Sequence, residues 1–305
     1  MKEYFKRGID FSHPALREKE VASYPPKMQL AMATLIFCVA NFHHHSCDGE
    51  SCSCQAPALS EEQVKETLAG IEGRITGGLG LDADIVAGLN YRELEQRVAG
   101  MEYEDTETNA LLRAAAEAVA EVGPWDASME MVARHSGLSK SGLYAHFKNK
   151  QDMLAQLFIT EFTRIVNSAR MQIETSIVPE EQLYLAIISI VDYLRSRPEI
   201  LVALDWIKTR NVELGMEVPG RLYRIINDIK LEAIRNYDQY MLVWVAQWIL
   251  FMIVNTLAWW PRVEDPSHDK GDWNKMWARK AAEIPNESFR ILFRFIALGL
   301  EGANL

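Results

Sequence analysis

Hydrophobic residues recur along much of the chain at the three- and four-residue spacing of amphipathic helices. The pattern is most regular from Thr108 to Val122, where Gly123 and Pro124 end it. It continues through two short segments on either side of Gly137 and a long segment that begins at Lys150. This order predicts three helices followed by a long fourth.

Apolar stripes continue beyond this unit and predict a second, larger helical domain. The last stripe follows Pro285, can be capped by Asn286, and ends at Gly302. Long stretches rich in Ala, Leu, Ile, Glu and Arg favour helix over strand, so the expected fold class is all-α. The four preceding stripes are residues 182–197, 200–214, 221–237 and an uncharged run, 239–261.

The first 105 residues contain an apolar run, a segment rich in Cys and His, and two predicted helices. The first helix starts at a capping box, Ser60 to Gln63, and ends at the GGLG sequence of residues 77–80. The second runs from Asn90 to Met101 and leads into an acidic connector. We divide the chain into an N-terminal extension of unassigned role (residues 1–105), which could form a separate small domain, and two domains, residues 106–155 and 156–305.

Composition narrows the class of protein. With 305 residues, of which 49% are hydrophobic and 24% charged, the chain can bury two cores and is not disordered or fibrous. A net charge of −10 excludes a general basic coat, so any contact with DNA is local. Residues 131–150 contain four cations and no carboxylate, and are the electropositive exception.

The uncharged run 239–261 is long enough to cross a bilayer. Gln247 and Asn255 interrupt it, and no second span or clear basic flank accompanies it. We expect a buried helix at a dimer interface rather than a membrane span. The N-terminus has no export signal, so the expected location is cytoplasmic.

Residues 128–154 have the spacing of two short helices joined by a tight turn. Gly137 can adopt the left-handed conformation of that turn, and Ser128 and Ser139 can cap the two helices. The second helix would place its N-terminal end in a major groove, with Lys148 and Lys150 close to the phosphates. Its outward residues are Lys140, Ser141, Gly142, Tyr144 and His146.

This segment resembles the DNA-binding domain of the TetR family of bacterial regulators over residues 108–158, above all in GLSKSGLYAHFKNK. The resemblance implies a three-helix DNA-binding domain, a helical domain that dimerises through its last two helices, and a small, largely apolar effector that releases double-stranded operator DNA. The family's domain usually stands at the extreme N-terminus, whereas about 105 residues precede it here. The implied operator contacts are Ser128, Lys140, Ser141, Gly142, Tyr144, His146 and Lys150.

Aromatic residues of the C-terminal stripes are candidates for contact with the effector, although core packing is favoured for any single one of them. Arg195 and Arg197 are interpreted as solvated. The sequence contains no nucleophile elbow, phosphate loop or HExxH helix, so we expect no enzyme activity. The effector candidates are Tyr193, Trp206, Tyr223, Trp244 and Trp248.

The extension places several possible metal ligands close together, in numbers sufficient for zinc or a similar metal. No CxxC pair is present, so a polar loop without metal remains an alternative. An alternative function for the whole chain is therefore a metal- or redox-sensing interaction protein. The candidate ligands are His43, His45, Cys47, Cys52 and Cys54.

Overall fold

A computed structural model describes residues 26–42, 61–99, 107–123, 126–210, 219–264, 281 and 283–302. Within these ranges the protein is all-α, as predicted, with short 3₁₀ turns and no strand. The helices are α1 (Pro26–Phe42), α2 (Glu61–Gly77), α3 (Ala83–Gly88), α4 (Tyr91–Val98), α5 (Glu107–Val122), α6 (Met129–Ser136), α7 (Lys140–Tyr144), α8 (Lys150–Ile173), α9 (Pro179–Ser196), α10 (Pro198–Arg210), α11 (Pro219–Asp228), α12 (Gln239–Glu264) and α13 (Asn286–Gly302).

Most predicted helices are confirmed, and one differs. The stripe of residues 221–237 is not a single helix, because α11 ends at Asp228 and a 3₁₀ turn follows at Glu232–Ile234. Asn227 and Asp228 stand where the helix ends. The short polar side chains of Asn and Asp compete for backbone hydrogen bonds, which favours turns over continued helix.

The C-terminal helices form one core with the DNA-binding unit. Helix α8 packs against α9 and α11, and α12 packs against α10 and α11. Helix α5 contacts α8 and α10, so the DNA-binding unit is held by two helices of the larger domain. Side chains such as Leu157, Ile187 and Met252 are completely buried in this core.

The described helices of the extension pack against helices of the larger domain. Helix α1 lies antiparallel to α12, with Phe37 beside Trp244 and Thr34 beside Trp248. Helix α2 packs against α13, and α4 packs against α9. In the described residues, α12 thus packs against α1, and α13 packs against α1 and α2.

A break in α13 anchors the extension through backbone hydrogen bonds. Gly299 interrupts α13 with φ 71° and ψ −154°. In an unbroken helix, the carbonyls of residues 296 and 297 would accept from residues 300 and 301. Here they accept from the N–H groups of Leu79 and Leu81, at 2.8 and 3.1 Å. A Cβ on Gly299 would lie 2.2 Å from the carbonyl oxygen of Thr76, so only glycine allows this approach.

An ion pair joins α4 to the larger domain. The carboxylate of Glu95 accepts from Arg290 at 2.7 and 2.9 Å and from the hydroxyl of Tyr184 at 2.6 Å. Burial would raise the pKa of Glu95, but hydrogen bonds from Arg290, Tyr184 and Asn286 lower it below its ordinary value. The extension is thus fixed to α9 and α13 by charge as well as by apolar contact.

The uncharged stripe forms part of α12, and its side chains Val245, Trp248 and Met252 face the core. In the part of the chain that the structure describes, none of the helices combines the length and the apolar character that crossing a membrane requires.

Candidate DNA-binding site

Helices α6 and α7 are built as the sequence predicts. The Ser128 hydroxyl accepts from the N–H of Met131 at 3.2 Å and starts α6. Gly137 ends α6 with φ 70°, a left-handed conformation that glycine adopts without strain. The Ser139 hydroxyl accepts from the N–H of Gly142 at 3.1 Å and starts α7. Both short helices are therefore fixed by local hydrogen bonds.

Apolar residues fasten this pair to α5. Val132 and Leu143 are completely buried, and Phe147 is 2% exposed. Leu138, an apolar residue at the turn, is by contrast 39% exposed. The residues that remain outside are those that could contact DNA.

Every side chain predicted to contact DNA lies at the surface or partly so. Tyr144 is 46% exposed, and Gly142 and Lys150 are half-buried. A Cβ on Gly142 would lie 3.3 Å from the Ser139 hydroxyl, so this glycine also leaves room for the cap. The remaining predicted contact residues are the half-buried Ser128 and the exposed Ser139, Lys140, Ser141, His146 and Lys148.

The start of α8 is fixed by two further hydrogen bonds. The Asn149 side chain accepts from the N–H of Asp152 at 2.8 Å, and the Asp152 carboxylate accepts from the N–H of Lys148 at 2.8 Å. Hydrogen bonds from Gln156 and from the Lys148 backbone lower the pKa of Asp152. The two lysines beside this cap are thereby placed next to α7.

A carboxylate lies on this surface that sequence reasoning missed. Glu130 is one residue outside the acid-free window, yet its carboxylate forms an ion pair with the Lys140 ammonium. The hydrogen bond from Lys140 lowers the pKa of Glu130, and the same contact raises the pKa of Lys140. The first turn of α6 carries a carboxylate because it is favourable at a helix N-terminus. In the absence of DNA, Lys140 is thus partly neutralised.

Among the predicted effector residues whose side chains the structure describes, Trp244 and Trp248 lie together, with ring centroids 6.1 Å apart. The Trp248 indole N–H donates to the Thr34 hydroxyl at 3.2 Å, and Trp244 packs edge-on against Phe37 at 5.2 Å, so both tryptophans face α1. Tyr223 lies half-buried on α11. The side chain of Trp206 lies outside the described residues.

An aliphatic cavity lies between α9, α11 and α12. Its volume is about 10 Å³, room for about one water molecule. Among the described residues, no aromatic residue and no polar side chain lines it. Its lining residues are Leu183, Ala186, Ile187, Ile190, Ile225, Ile226, Ala246, Ile249 and Leu250.

One turn beyond this cavity, Tyr193 joins a buried polar network. Its hydroxyl donates to Glu161 on α8, a residue that is 1% exposed. Burial and the Glu161 carboxylate raise the pKa of Tyr193, so the hydroxyl keeps its proton. Glu161 also accepts from Arg164 at 2.8 Å and pairs with Arg197 at 3.5 Å.

The solvated interpretation of Arg197 is wrong, because this residue is 7% exposed and its Nε donates to Glu199 at 2.7 Å. A sequence signal for the network exists at Glu161. This carboxylate stands midway between Leu157 and Ile165 in an apolar stripe with a spacing of four.

The five candidate metal ligands, residues 43, 45, 47, 52 and 54, lie outside the described residues. In the described part of the chain, no three His, Cys, Asp or Glu side chains are grouped closely enough to hold a metal. Cys38 lies on the buried face of α1, and burial raises the pKa of its thiol to about 11. That thiol is protonated and unreactive at neutral pH.

The described residues thus form an all-α protein with an exposed helix-turn-helix, the arrangement of a DNA-binding regulator. Residues 111–157 match the family model for bacterial regulatory proteins of the tetR family. This match identifies residues 111–157 as similar to the DNA-binding domain of that family. No curated protein sequence matches the chain.

Three similar solved structures are all regulators. The fatty acid degradation regulator FadR from Bacillus halodurans is 19% identical, with a TM-score of 0.43, and the match covers 59% of this chain and 97% of that one. FadR from Bacillus subtilis, in complex with stearoyl-CoA, is 21% identical, with a TM-score of 0.44, and the match covers 58% of this chain and 98% of that one. The TetR family regulator PfmR from Thermus thermophilus is 17% identical, with a TM-score of 0.38, and the match covers 64% of this chain and 98% of that one. Each similarity covers nearly all of the other protein.

Proposed function

We propose that this regulator is a repressor that binds double-stranded operator DNA as a homodimer through α6 and α7. One exposed surface carries the proposal: Lys140, Ser141 and Tyr144 project from a short helix that the Ser139 cap holds in place, and the exposed His146 lies in the turn that follows. Two such units, one helical turn of DNA apart, would read two half-sites in successive major grooves.

The roles of these residues follow from their chemistry. The Tyr144 hydroxyl and the His146 ring can form hydrogen bonds with phosphates or base edges, and Ser141 allows close approach. Lys148 and Lys150, beside the cap of α8, would contact phosphates. When the complex forms, the Lys140 ammonium would leave the Glu130 carboxylate and contact DNA instead.

The proposed effector carries an aliphatic portion that enters the cavity between α9, α11 and α12. The cavity offers dispersion contact and no hydrogen-bonding side chain from the described residues, so it selects for a hydrocarbon chain. Because its volume is only about 10 Å³, the effector must separate α9 from α11 and α12 as it enters.

The buried network would carry this movement to the DNA-binding unit. Tyr193, one turn beyond Ile190 on α9, is tied through Glu161 to α8, which leads directly from the DNA-binding unit. Arg197 precedes α10, which packs on α5. A shift of α9 therefore acts on both helices that hold the unit, and the two recognition helices lose their operator spacing.

Selection of bound sequences from a random duplex pool at physiological salt tests the DNA-binding proposal. We expect an enriched palindrome, bound far above competitor DNA. Lys140→Ala and Tyr144→Ala should weaken binding, while Lys230→Ala, an exposed lysine after α11, should not. No enrichment, or equal affinity in all variants, would contradict the proposal.

Operator release tests the effector. Oleate should release the selected operator, and a bulky aromatic carboxylate should not. Ala186→Leu, which narrows the cavity, should raise the oleate concentration needed for release. Release by both carboxylates, or by neither, would contradict an aliphatic cavity site.

A further inference from the structure

Helix α4 of the extension is fastened to α9 and α13 by one cluster of five side chains. The rings of Tyr91, Tyr184 and Phe293 meet edge to face, with centroids 4.9, 5.2 and 6.0 Å apart. Beside them, the Glu95 carboxylate is 11% exposed and accepts from the Tyr184 hydroxyl and from Arg290. We call these five residues the latch, because they join one helix of the extension to two helices of the larger domain.

The latch meets α9 beside the aliphatic cavity. Leu183 lines that cavity, and Tyr184, the next residue, projects about 100° further around the helix, where it meets α4. Every residue from Leu183 to Val191 is buried, so this part of α9 is covered on all sides. Helix α4 is one of several helices that pack against α9, together with α8, α10, α12 and α13. A displacement of α9 must therefore change these contacts.

The entry of a hydrocarbon chain would break the latch. Carbon atoms in contact lie about 3.5 to 4.0 Å apart, so inserting a chain beside α9 demands a displacement of several ångströms. Movement of α9 toward α4 compresses rings that already touch. Movement in another direction by about 2.5 Å takes the Tyr184 hydroxyl from 2.6 Å to beyond hydrogen-bond distance of Glu95. Glu95 cannot follow α9, because Arg290 on α13 holds its carboxylate at 2.7 and 2.9 Å.

The proposed function, on which this inference rests, requires α9 to move when the effector enters. We propose that the extension opposes this movement: the latch holds α9 in the arrangement without effector, and an effector with a hydrocarbon chain must break the Tyr184–Glu95 hydrogen bond to enter the cavity. Since the latch favours only the arrangement without effector, the free energy that it contributes weakens the binding of the effector by the same amount. The extension thereby sets the effector concentration at which the operator is released.

Titration of the operator complex with oleate tests the latch in the full chain. Tyr184→Phe removes the hydroxyl that joins α9 to Glu95, and it keeps both the ring and the ion pair of Glu95 with Arg290. The oleate concentration for half release should fall about 10-fold. Operator affinity without oleate should change by less than about twofold, because the arrangement without effector still predominates.

Two variants of α4 provide a matched pair. Glu95→Gln weakens the latch and should also lower the oleate concentration for half release. Glu93→Gln removes the same charge from an exposed pair with Arg97 on the same helix, and should leave that concentration unchanged. Because Tyr184→Phe and Glu95→Gln act on one contact, the double variant should lower the concentration by less than the product of the two single effects. A full product would mean that the two residues act independently, which contradicts the latch.

Hydrogen exchange of the chain without DNA and without oleate measures the restraint on α9 directly. Amide exchange of residues 183–191 should be about 10-fold faster in Tyr184→Phe than in the wild type or in Glu93→Gln, and exchange in α5 should be unchanged. Unchanged exchange in α9, or equal acceleration in α5, would overturn the proposal, as would half release of Tyr184→Phe and wild type at the same oleate concentration. If oleate does not release the operator from the wild type, the proposed function fails, and hydrogen exchange alone decides on the latch.

Discussion

Replacing Tyr193 with phenylalanine removes one hydroxyl from the buried network and keeps the ring. The ring is completely buried, so the variant should leave no cavity in the apolar part of the site. A hydrogen bond to a charged group contributes about 1.5 to 3 kcal/mol to stability. Glu161 keeps Arg164 at 2.8 Å and Arg197 at 3.5 Å, so its charge stays partnered. We therefore expect the lower half of that range, about 2 kcal/mol.

Urea unfolding followed by circular dichroism measures this loss as a lower midpoint at an unchanged m-value. With an unfolding entropy of about 2.1 cal/mol/K per residue, a loss of about 2 kcal/mol corresponds to a fall in Tm of about 3 °C. Tyr144→Phe removes a hydroxyl from an exposed tyrosine and is the matched control. An equal loss in both variants, or none in Tyr193→Phe, would refute the contribution assigned to the network.

Three further predictions concern the DNA surface and the extension. Glu130→Gln frees Lys140, so operator affinity should rise and the slope of log K against log salt should steepen by about one; unchanged affinity would argue against the ion pair on this surface. Gly299→Ala should cost about 2 kcal/mol or more in urea unfolding because its Cβ meets backbone atoms, whereas Gly70→Ala, where a Cβ meets nothing within 4 Å, should be neutral or stabilising. The pKa of Glu95 is lowered in the folded protein, so its carboxylate contributes to the free energy of unfolding above its unfolded pKa, and this contribution is lost as pH falls through the folded pKa. Glu95→Gln should therefore make the free energy of unfolding depend less on pH in the acid range. A pH dependence parallel to that of the wild type would contradict this.

Local interactions made much of the fold predictable. Ser128 and Ser139 mark helix starts from the sequence, and Gly137 marks a helix end, because capping involves residues only a few positions apart. The exposed face of α7 follows from the same reasoning, since apolar spacing assigns Leu143 to the interior. The helix-turn-helix could therefore be located and oriented without a structure.

Contacts between distant segments were not predictable in this way. The sequence places Glu130 outside the acid-free window, and only the turn between α6 and α7 brings it to Lys140. Arg197 looks solvated in the sequence; it pairs with the nearby Glu199, and only the meeting of α8 with α9 adds the buried carboxylate of Glu161. A charged side chain can be buried where an oppositely charged group meets it, and when that group lies on another helix the neighbouring sequence does not show the pair.

The extension shows most clearly which features the sequence determines and which only the tertiary structure decides. Its sequence determined that residues 28–42 form an uncharged apolar run, because hydrophobicity and charge are properties of the residues themselves. Only the tertiary structure decided which of its faces meets α12, through pairs such as Thr34 and Trp248 that lie 214 positions apart. Apolar contact carries no directional code, so an apolar helix can cover many surfaces, and the choice among them depends on the shape of the folded core.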